Sequence, residues 1–282
     1  MNRKVQIARL SIFSNTLLIL LKLAAGIISG SVSIISEAIH SSMDLIAAII
    51  AFFSVRVSDT PPDARHPYGH GKVENMSGVI EAILILIAAI WIIFEAVKKL
   101  TGAPYELDSI GLGSLVMLVS AVVNIIVSRM LYKVAKETHS LALEADALHL
   151  KTDVYTSLGV AVGLGLIIIT KIHWLDPIVA ILVAMLILRE SYSLLRKAFL
   201  PLLDEAWEES ERKELENTLA ELKVSYHELR TRIAGNYRFV DLHVEIPKEQ
   251  SVEYAHKYCD MIEEKLMEKF EQINVTIHVE PF

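Results

Sequence analysis

Six apolar blocks occupy the first two thirds of the chain: Leu10–Ile28, Ile34–Val55, Ser77–Val97, Ile110–Met130, Leu143–Ile169 and Pro177–Leu195. Each approaches the roughly 20 helical residues that cross a hydrocarbon core of about 30 Å. The polar joints between them are Ser58–Lys72, Thr101–Ser109 and Lys171–Asp176, and a further joint runs from Pro201 to Trp207. Beyond it the pattern shortens. It predicts a helix over Glu208–Leu222, strands over Tyr226–Ile233 and Tyr237–Ile246, a helix over Val252–Phe270 and a strand over Asn274–Glu280. The fold class expected is therefore an α-helical membrane protein, with six transmembrane helices (residues 1–200) followed by a cytoplasmic ferredoxin-like α+β domain of order αββαβ (residues 201–282).

Composition sharpens this division. The chain has 282 residues, 53% hydrophobic, and a mean hydropathy of +0.43 despite 22% charged residues, so the charge is segregated. From Pro201 onward there are 19 acidic and 10 basic residues, a net of −9 within a whole-chain −7, which leaves +2 on the apolar part. An acidic tail argues against nucleic acid and suits cations. At about 80 residues it has a modest core, so a partner is expected to help stabilise it. Arg3, Lys4, Arg9, Arg56, Arg65, Lys72, Arg129, Lys133, Lys136, Arg189, Arg196 and Lys197 fall on one set of span ends, against Lys98, Lys99 and Lys171 on the other. This bias puts both termini in the cytoplasm. The opening MNRKVQIARL has the basic flank of a signal peptide, but its apolar run is too long, which predicts a retained first helix. The single Cys259 excludes an internal disulfide framework and is expected to pack.

Within the second block, IHSSMDL places His40 and Asp44 four residues apart, so they share one helix face. Ser33 and Glu37 lie on the same stripe. The fifth block repeats the spacing in LEADALHLKTD with His149 and Asp153, and Asp146 and Thr156 extend that face. Both aspartates fall near mid-membrane, where an ionised carboxylate costs at least roughly 2.5–3.5 kcal/mol and needs a partner. Two imidazoles and two carboxylates suit tetrahedral Zn²⁺, and their charge neutralises a divalent ion. Without metal the cheapest relief for two buried carboxylates is protonation, which predicts metal–proton exchange. The alternative is structural: the histidines bond across helices and the aspartates pair with Lys22 or Lys151.

The loop SDTPPDARHPYGHGKVEN groups Asp63, His66 and His70 in eight residues, with glycines and a proline shaping the backbone. They read as a second, exposed metal site or as solvated loop residues. Lys72 reaches an acidic partner such as Asp204 or stays solvated. In the tail, Val240, Leu242, Val244 and Ile246 alternate with Asp241, His243 and Glu245, and Val275, Ile277 and Val279 with His278 and Glu280. That polar face suits joint ligation, with His227 and His256 as further donors and a second copy closing over it, or it is a surface face of ordinary histidines. Eight of the ten histidines fall into these three groups.

On IHSSMD, PPDARHPYGHGKVE, LEADALHLKTD and the tail series HELRTR, DLHVEI, YAHKYCD and TIHVEP, the whole chain resembles the cation diffusion facilitators, especially bacterial zinc and ferrous-iron efflux members. The resemblance implies a homodimer in the lipid bilayer of the inner (cytoplasmic) membrane that exchanges divalent metal for protons by alternating access. It implies a transport site on His40, Asp44, His149 and Asp153, a loop site on Asp63, His66 and His70, and a binuclear tail site on His227, His243, His256, His278 and Glu280. It also implies a charge interlock of Lys72 and Asp204 at the dimer. Some bacterial members carry aspartate where this chain has His40 and Glu280. The extra imidazole favours Zn²⁺ or Co²⁺ over Mn²⁺, with Cd²⁺ and Fe²⁺ also in range. An enzyme is not expected, because no HExxH metalloprotease helix and no P-loop occur. An organic-cation antiporter using the aspartates as counter-ions, or a metal sensor without transport, are the other readings.

Overall fold

The computed structural model describes residues 3–29, 32–101, 112–170 and 174–282, with some side chains in the helices, His40 among them, outside the described set. The chain divides into two compact units, Met1–Phe199 and Leu200–Phe282.

In the first unit the apolar blocks form α1 (Arg3–Ser29), α2 (Val32–Ser58), α3 (Lys72–Leu100), α4 (Leu112–Thr138), α5 (Leu141–Thr170) and α6 (Leu175–Phe199). α1, α2, α3, α5 and α6 outrun their apolar blocks at both ends, because polar residues continue the backbone ladder beyond the hydrocarbon-length stretch. By length and composition, four candidate spans stand among the described residues: Arg3–Ile28, Lys72–Lys98, Leu118–Thr138 and Pro177–Leu203. The remaining helices, α2 and α5, carry the histidine–aspartate pairs. Phe13, Leu20 and Ile27 on α1, Ile87, Trp91 and Phe94 on α3, and Leu182 and Met185 on α6 all point outward. Such an apolar exterior suits lipid as solvent.

Inside, small residues let helices approach. Ala8, Ala51, Ala135, Ala142 and Ala147 pack with Ile7, Val55, Leu131, Leu143 and Leu150 in one core joining α1, α2, α4 and α5. On α5, a Cβ built at Gly159 would meet Val183 Cγ2 of α6 at 2.9 Å. Val183 is β-branched and stiff, so Gly159→Ala is expected to cost about 1–3 kcal/mol by overpacking. Thermal unfolding in detergent checks this; a wild-type midpoint would show that α6 yields freely.

One end of this unit is held by a buried ionic cluster. Lys4 Nζ of α1 meets Glu74 Oε1 of α3 at 2.9 Å and Asp59 Oδ1 at 2.8 Å. Ser58 Oγ donates to Glu74 Oε1 at 2.8 Å, and Ser140 Oγ donates to Glu74 Oε2. Glu74 is wholly buried and Lys4 nearly so. Four chain segments are thus tied through one carboxylate.

The second unit comprises a 3₁₀ turn (Leu200–Leu203), α7 (Glu209–Glu221), β1 (Tyr226–Ala234), β2 (Tyr237–Ile246), α8 (Val252–Lys269) and β3 (Ile273–Pro281). The sheet order is β1-β2-β3, with β1–β2 antiparallel and β2–β3 parallel. A parallel pair needs a crossover, which α8 provides. Ser251 caps α8 by accepting from the Tyr254 amide at 3.2 Å. The inward residues of β2, Val240, Leu242, Val244 and Ile246, close a core with Leu215, Leu219, Ile262, Leu266 and Phe270. Trp207 joins it, its ring tilted against Phe270 at 5.3 Å and its Nε1 donating to the Arg232 carbonyl at 3.1 Å. This is the small mixed-sheet unit expected from the αββαβ pattern.

Candidate metal centre

On α5 the one-turn spacing turns His149 and Asp153 to the same side, and α2, which packs on α5, brings Asp44 opposite them. One ligand atom from each of Asp44, His149 and Asp153 lies within 4.8 Å of the other two. His149 Nε2 and Asp44 Oδ1 are 3.0 Å apart. Zn²⁺ bonds of about 2.0–2.1 Å in a tetrahedron put donors about 3.3 Å apart, close to the separation that His149 and Asp44 already have. Asp44 is buried and His149 and Asp153 are half-buried. The His149–Asp44 bond is also what a purely structural cross-helix pair would show. Lys151, by contrast, reaches Glu190 at 3.0 Å, and Lys22 donates to Ser41 at 2.7 Å. The side chains of His40, Ser33 and Glu37 lie outside the described ones.

In the loop between α2 and α3, Asp63 Oδ1 accepts the amides of Arg65 and His66, both at 2.7 Å. These two backbone bonds hold the Asp63 carboxyl below its usual range. The lowered value means that the turn's electrostatic support is present above the ordinary carboxylate value of about 3.9 and is lost as pH falls through the depressed one. Asp63 Oδ2 faces His70 Nε2 at 3.5 Å, and Asp63 Oδ1 faces His66 Nδ1 at 3.3 Å. Gly69, at φ +84°, makes the turn that brings the two rings to 4.4 Å. Asp63, His66 and His70 thereby meet as one potential ligand group.

In the tail, register does the gathering. His227 stands opposite His243 on β1–β2, and His243 opposite His278 on β2–β3, so three imidazoles cross the sheet in one row. Glu280 binds into the row, its Oε1 3.0 Å from His243 Nδ1 and its Oε2 3.3 Å from His227 Nε2. His227, His243 and Glu280 form a potential ligand group, with His278 Nε2 3.6 Å from Glu280 Oε1. His256 is not brought in: it lies exposed on α8, 3.4 Å from Asp260. Burial and then Glu263 and Asp260 push the neighbouring Cys259 thiol up, so it is no ready thiolate.

Two acids beside the tail row, Glu245 and Glu228, stand outside the ligand set expected from the sequence. Glu245, opposite Glu280 in register, reaches His227 Nδ1 at 3.3 Å, a neighbour that alternation along β2 already signals. Glu228 comes within 3.8 Å of His243 through a β-bulge with φ +49°, for which the local sequence carries no glycine signal. In the membrane unit Glu81 of α3 was likewise missed, its one carboxylate hidden in an apolar run.

The pattern of the cation efflux transmembrane domain matches residues 8–203, and that of the cation efflux protein cytoplasmic domain matches 207–282. The chain belongs to the cation efflux family. An uncharacterized transporter, sll1263, of Synechocystis sp. is 36% identical over 264 residues, covering 93% of this chain and 85% of that one. The cation-efflux pump FieF of Escherichia coli is 30% identical over 268 residues, covering 94% and 89%. A solved metal-bound C-terminal domain of the CzcD transporter from Thermotoga maritima is 27% identical, covers 27% of this chain and 94% of that one, and has a TM-score of 0.25. This cation efflux family member is thus a multi-pass membrane transporter of metal cations and not an enzyme.

Proposed function

We propose that this family member exports divalent metal in exchange for protons, with Zn²⁺ as the preferred cargo and Cd²⁺, Fe²⁺ and Co²⁺ within its range. The supporting observation is the convergence of Asp44, His149 and Asp153 from two helices inside an apolar bundle. With His40, one turn before Asp44 on α2, the set becomes two imidazoles and two carboxylates, a donor mixture suited to Zn²⁺ more than to Mn²⁺. In this reading α2 and α5 also cross the bilayer, making six spans, and both termini lie in the cytoplasm under the inner membrane. Carriage follows from alternating access: the pair of carboxylates holds metal from the cytoplasmic side, and protons replace it from the other. Zn²⁺ flux into proteoliposomes under an imposed pH gradient tests it, with Cd²⁺, Fe²⁺, Co²⁺ and Mn²⁺ for comparison. Metal bound but never moved would favour a sensor, and organic-cation flux indifferent to metal would favour a drug antiporter.

The loop trio and the tail row are further metal positions in this proposal, and the tail is where two copies meet as a homodimer. His256 would then join His227, His243, His278 and Glu280 only from a second copy. Because the tail unit has its own closed core, a fragment covering it should be stabilised by Zn²⁺, by about 2.7 kcal/mol at a hundredfold excess over Kd. His243→Ala should remove most of that gain. A melting temperature indifferent to Zn²⁺ in the unaltered fragment would count against tail ligation.

A further inference from the structure

Glu81 on α3 and Asp146 on α5 are wholly buried in the membrane unit. Ser77 Oγ donates to Glu81 Oε1 at 3.2 Å. The other oxygen of Glu81 and both oxygens of Asp146 have no hydrogen-bond partner among the described residues. The Ser11 hydroxyl of α1 is also buried and has no hydrogen-bond partner among the described residues. Ala82 of α3 and Ala145 of α5, the chain neighbours of the two acids, pack with Leu194 in one buried cluster, so α3 and α5 meet at this level. Three unmet carboxylate oxygens in an apolar bundle ask for an ion or water that the protein itself does not supply.

Their height along the bundle gives them a use. Ser140, the residue just before α5, bonds Glu74 in the ionic cluster; along α5 Asp146 lies about 9 Å farther and His149 about 13.5 Å, at 1.5 Å per residue. On α3, Glu81 lies about 10.5 Å beyond Glu74 by the same rise. The two acids therefore stand between the Lys4–Glu74 end and the Asp44–His149–Asp153 centre, about one turn short of it.

The geometry points to Glu81 and Asp146 forming a second, all-oxygen position for a divalent cation, a staging site from which the ion passes to the imidazole-bearing centre. This rests on the transport role proposed for that centre. Carboxylate and hydroxyl oxygens hold a partly hydrated divalent ion, whereas the imidazole next door binds Zn²⁺ more firmly. Transfer thus runs from a weaker site to a stronger one, and the same pair gathers cations ahead of it.

Mn²⁺, which prefers oxygen, is the probe. Full-length protein in detergent is titrated with Mn²⁺ and free ion is read by electron paramagnetic resonance, in wild type and in a D44N/D153N background. Adding Glu81→Gln with Asp146→Asn is expected to remove one bound Mn²⁺ per chain in both; an unchanged count in folded protein overturns the proposal. A second measurement needs no variant. With Zn²⁺ already bound, Mn²⁺ should slow carbodiimide labelling of Glu81 and Asp146, read by peptide mass, by about tenfold, equivalent to occupancy of roughly nine sites in ten. Undiminished labelling overturns it. Zn²⁺ flux that persists in D44N/D153N would sink the transport reading of the centre without altering the Mn²⁺ count that tests the pair.

Discussion

Asp153→Ala is expected to reduce Zn²⁺ flux by on the order of 100-fold or more, since even the outer partners of metal ligands are worth 10–100-fold. Asp153 supplies one of the three ligand atoms that lie within 4.8 Å of each other across α2 and α5. Without it, Asp44 and His149 retain their 3.0 Å contact and close on each other, leaving one carboxylate to balance a divalent ion. Folding should survive, because an ionised carboxylate in a bundle interior is itself unfavourable by at least about 2.5–3.5 kcal/mol. Zn²⁺ entry into proteoliposomes, driven by a pH gradient and read by an internal fluorescent chelator, measures this. Wild-type flux in folded variant protein would remove Asp153 from the transport centre. Loss of flux with every metal, at normal stability, would keep it there.

Glu74→Ala should be the most destabilising single change at the end of the membrane unit, by about 3–5 kcal/mol, the usual cost of breaking a buried ion pair from one side. Glu74 accepts from Lys4, Ser58 and Ser140, so its removal leaves the buried Lys4 ammonium with a weakened set of partners and unties α1, α2, α3 and the start of α5 together. Two further variants separate charge from volume. Glu74→Gln should recover part of the loss by keeping hydrogen bonds. Lys4→Met combined with Glu74→Leu should recover more, because a well-packed apolar pair replaces the ions. Unfolding rates in detergent report this better than a single midpoint, since such chains often unfold irreversibly. An Ala variant as long-lived as wild type would show that the cluster contributes little.

The helical content and the tail order were legible in the sequence because their signals are local. Runs of lipid-length apolar residues became α1 through α6, and the period-two alternation of Tyr237–Ile246 became β2 with Leu242 and Val244 buried. The end of each tail element stands within a residue of its predicted place, for α7 at Glu209–Glu221 and for β3 at Ile273–Pro281.

The candidate sites divide in the same manner. Four-residue spacing puts His149 and Asp153 on one face by helix geometry alone, and the short loop keeps Asp63, His66 and His70 near each other by chain connectivity. Which helix faces which is a matter of packing, so the meeting of Asp44 with α5, and the packing of α3 on α5 beside Glu81 and Asp146, needed the assembled bundle. The tail shows a third case: alternation names the polar face, but strand register decides that His227, His243 and His278 stand in one row. The sequence by itself thus determined the elements, their buried faces and every donor pair set by spacing on one helix or loop. Only the tertiary structure decided the partners across helices and strands, the bulge that turns Glu228 toward His243, and the exclusion of His256 from the row within one chain. The physical reason is range: backbone periodicity acts over a few residues, whereas a ligand set drawn from distant segments exists only after their apolar surfaces have packed.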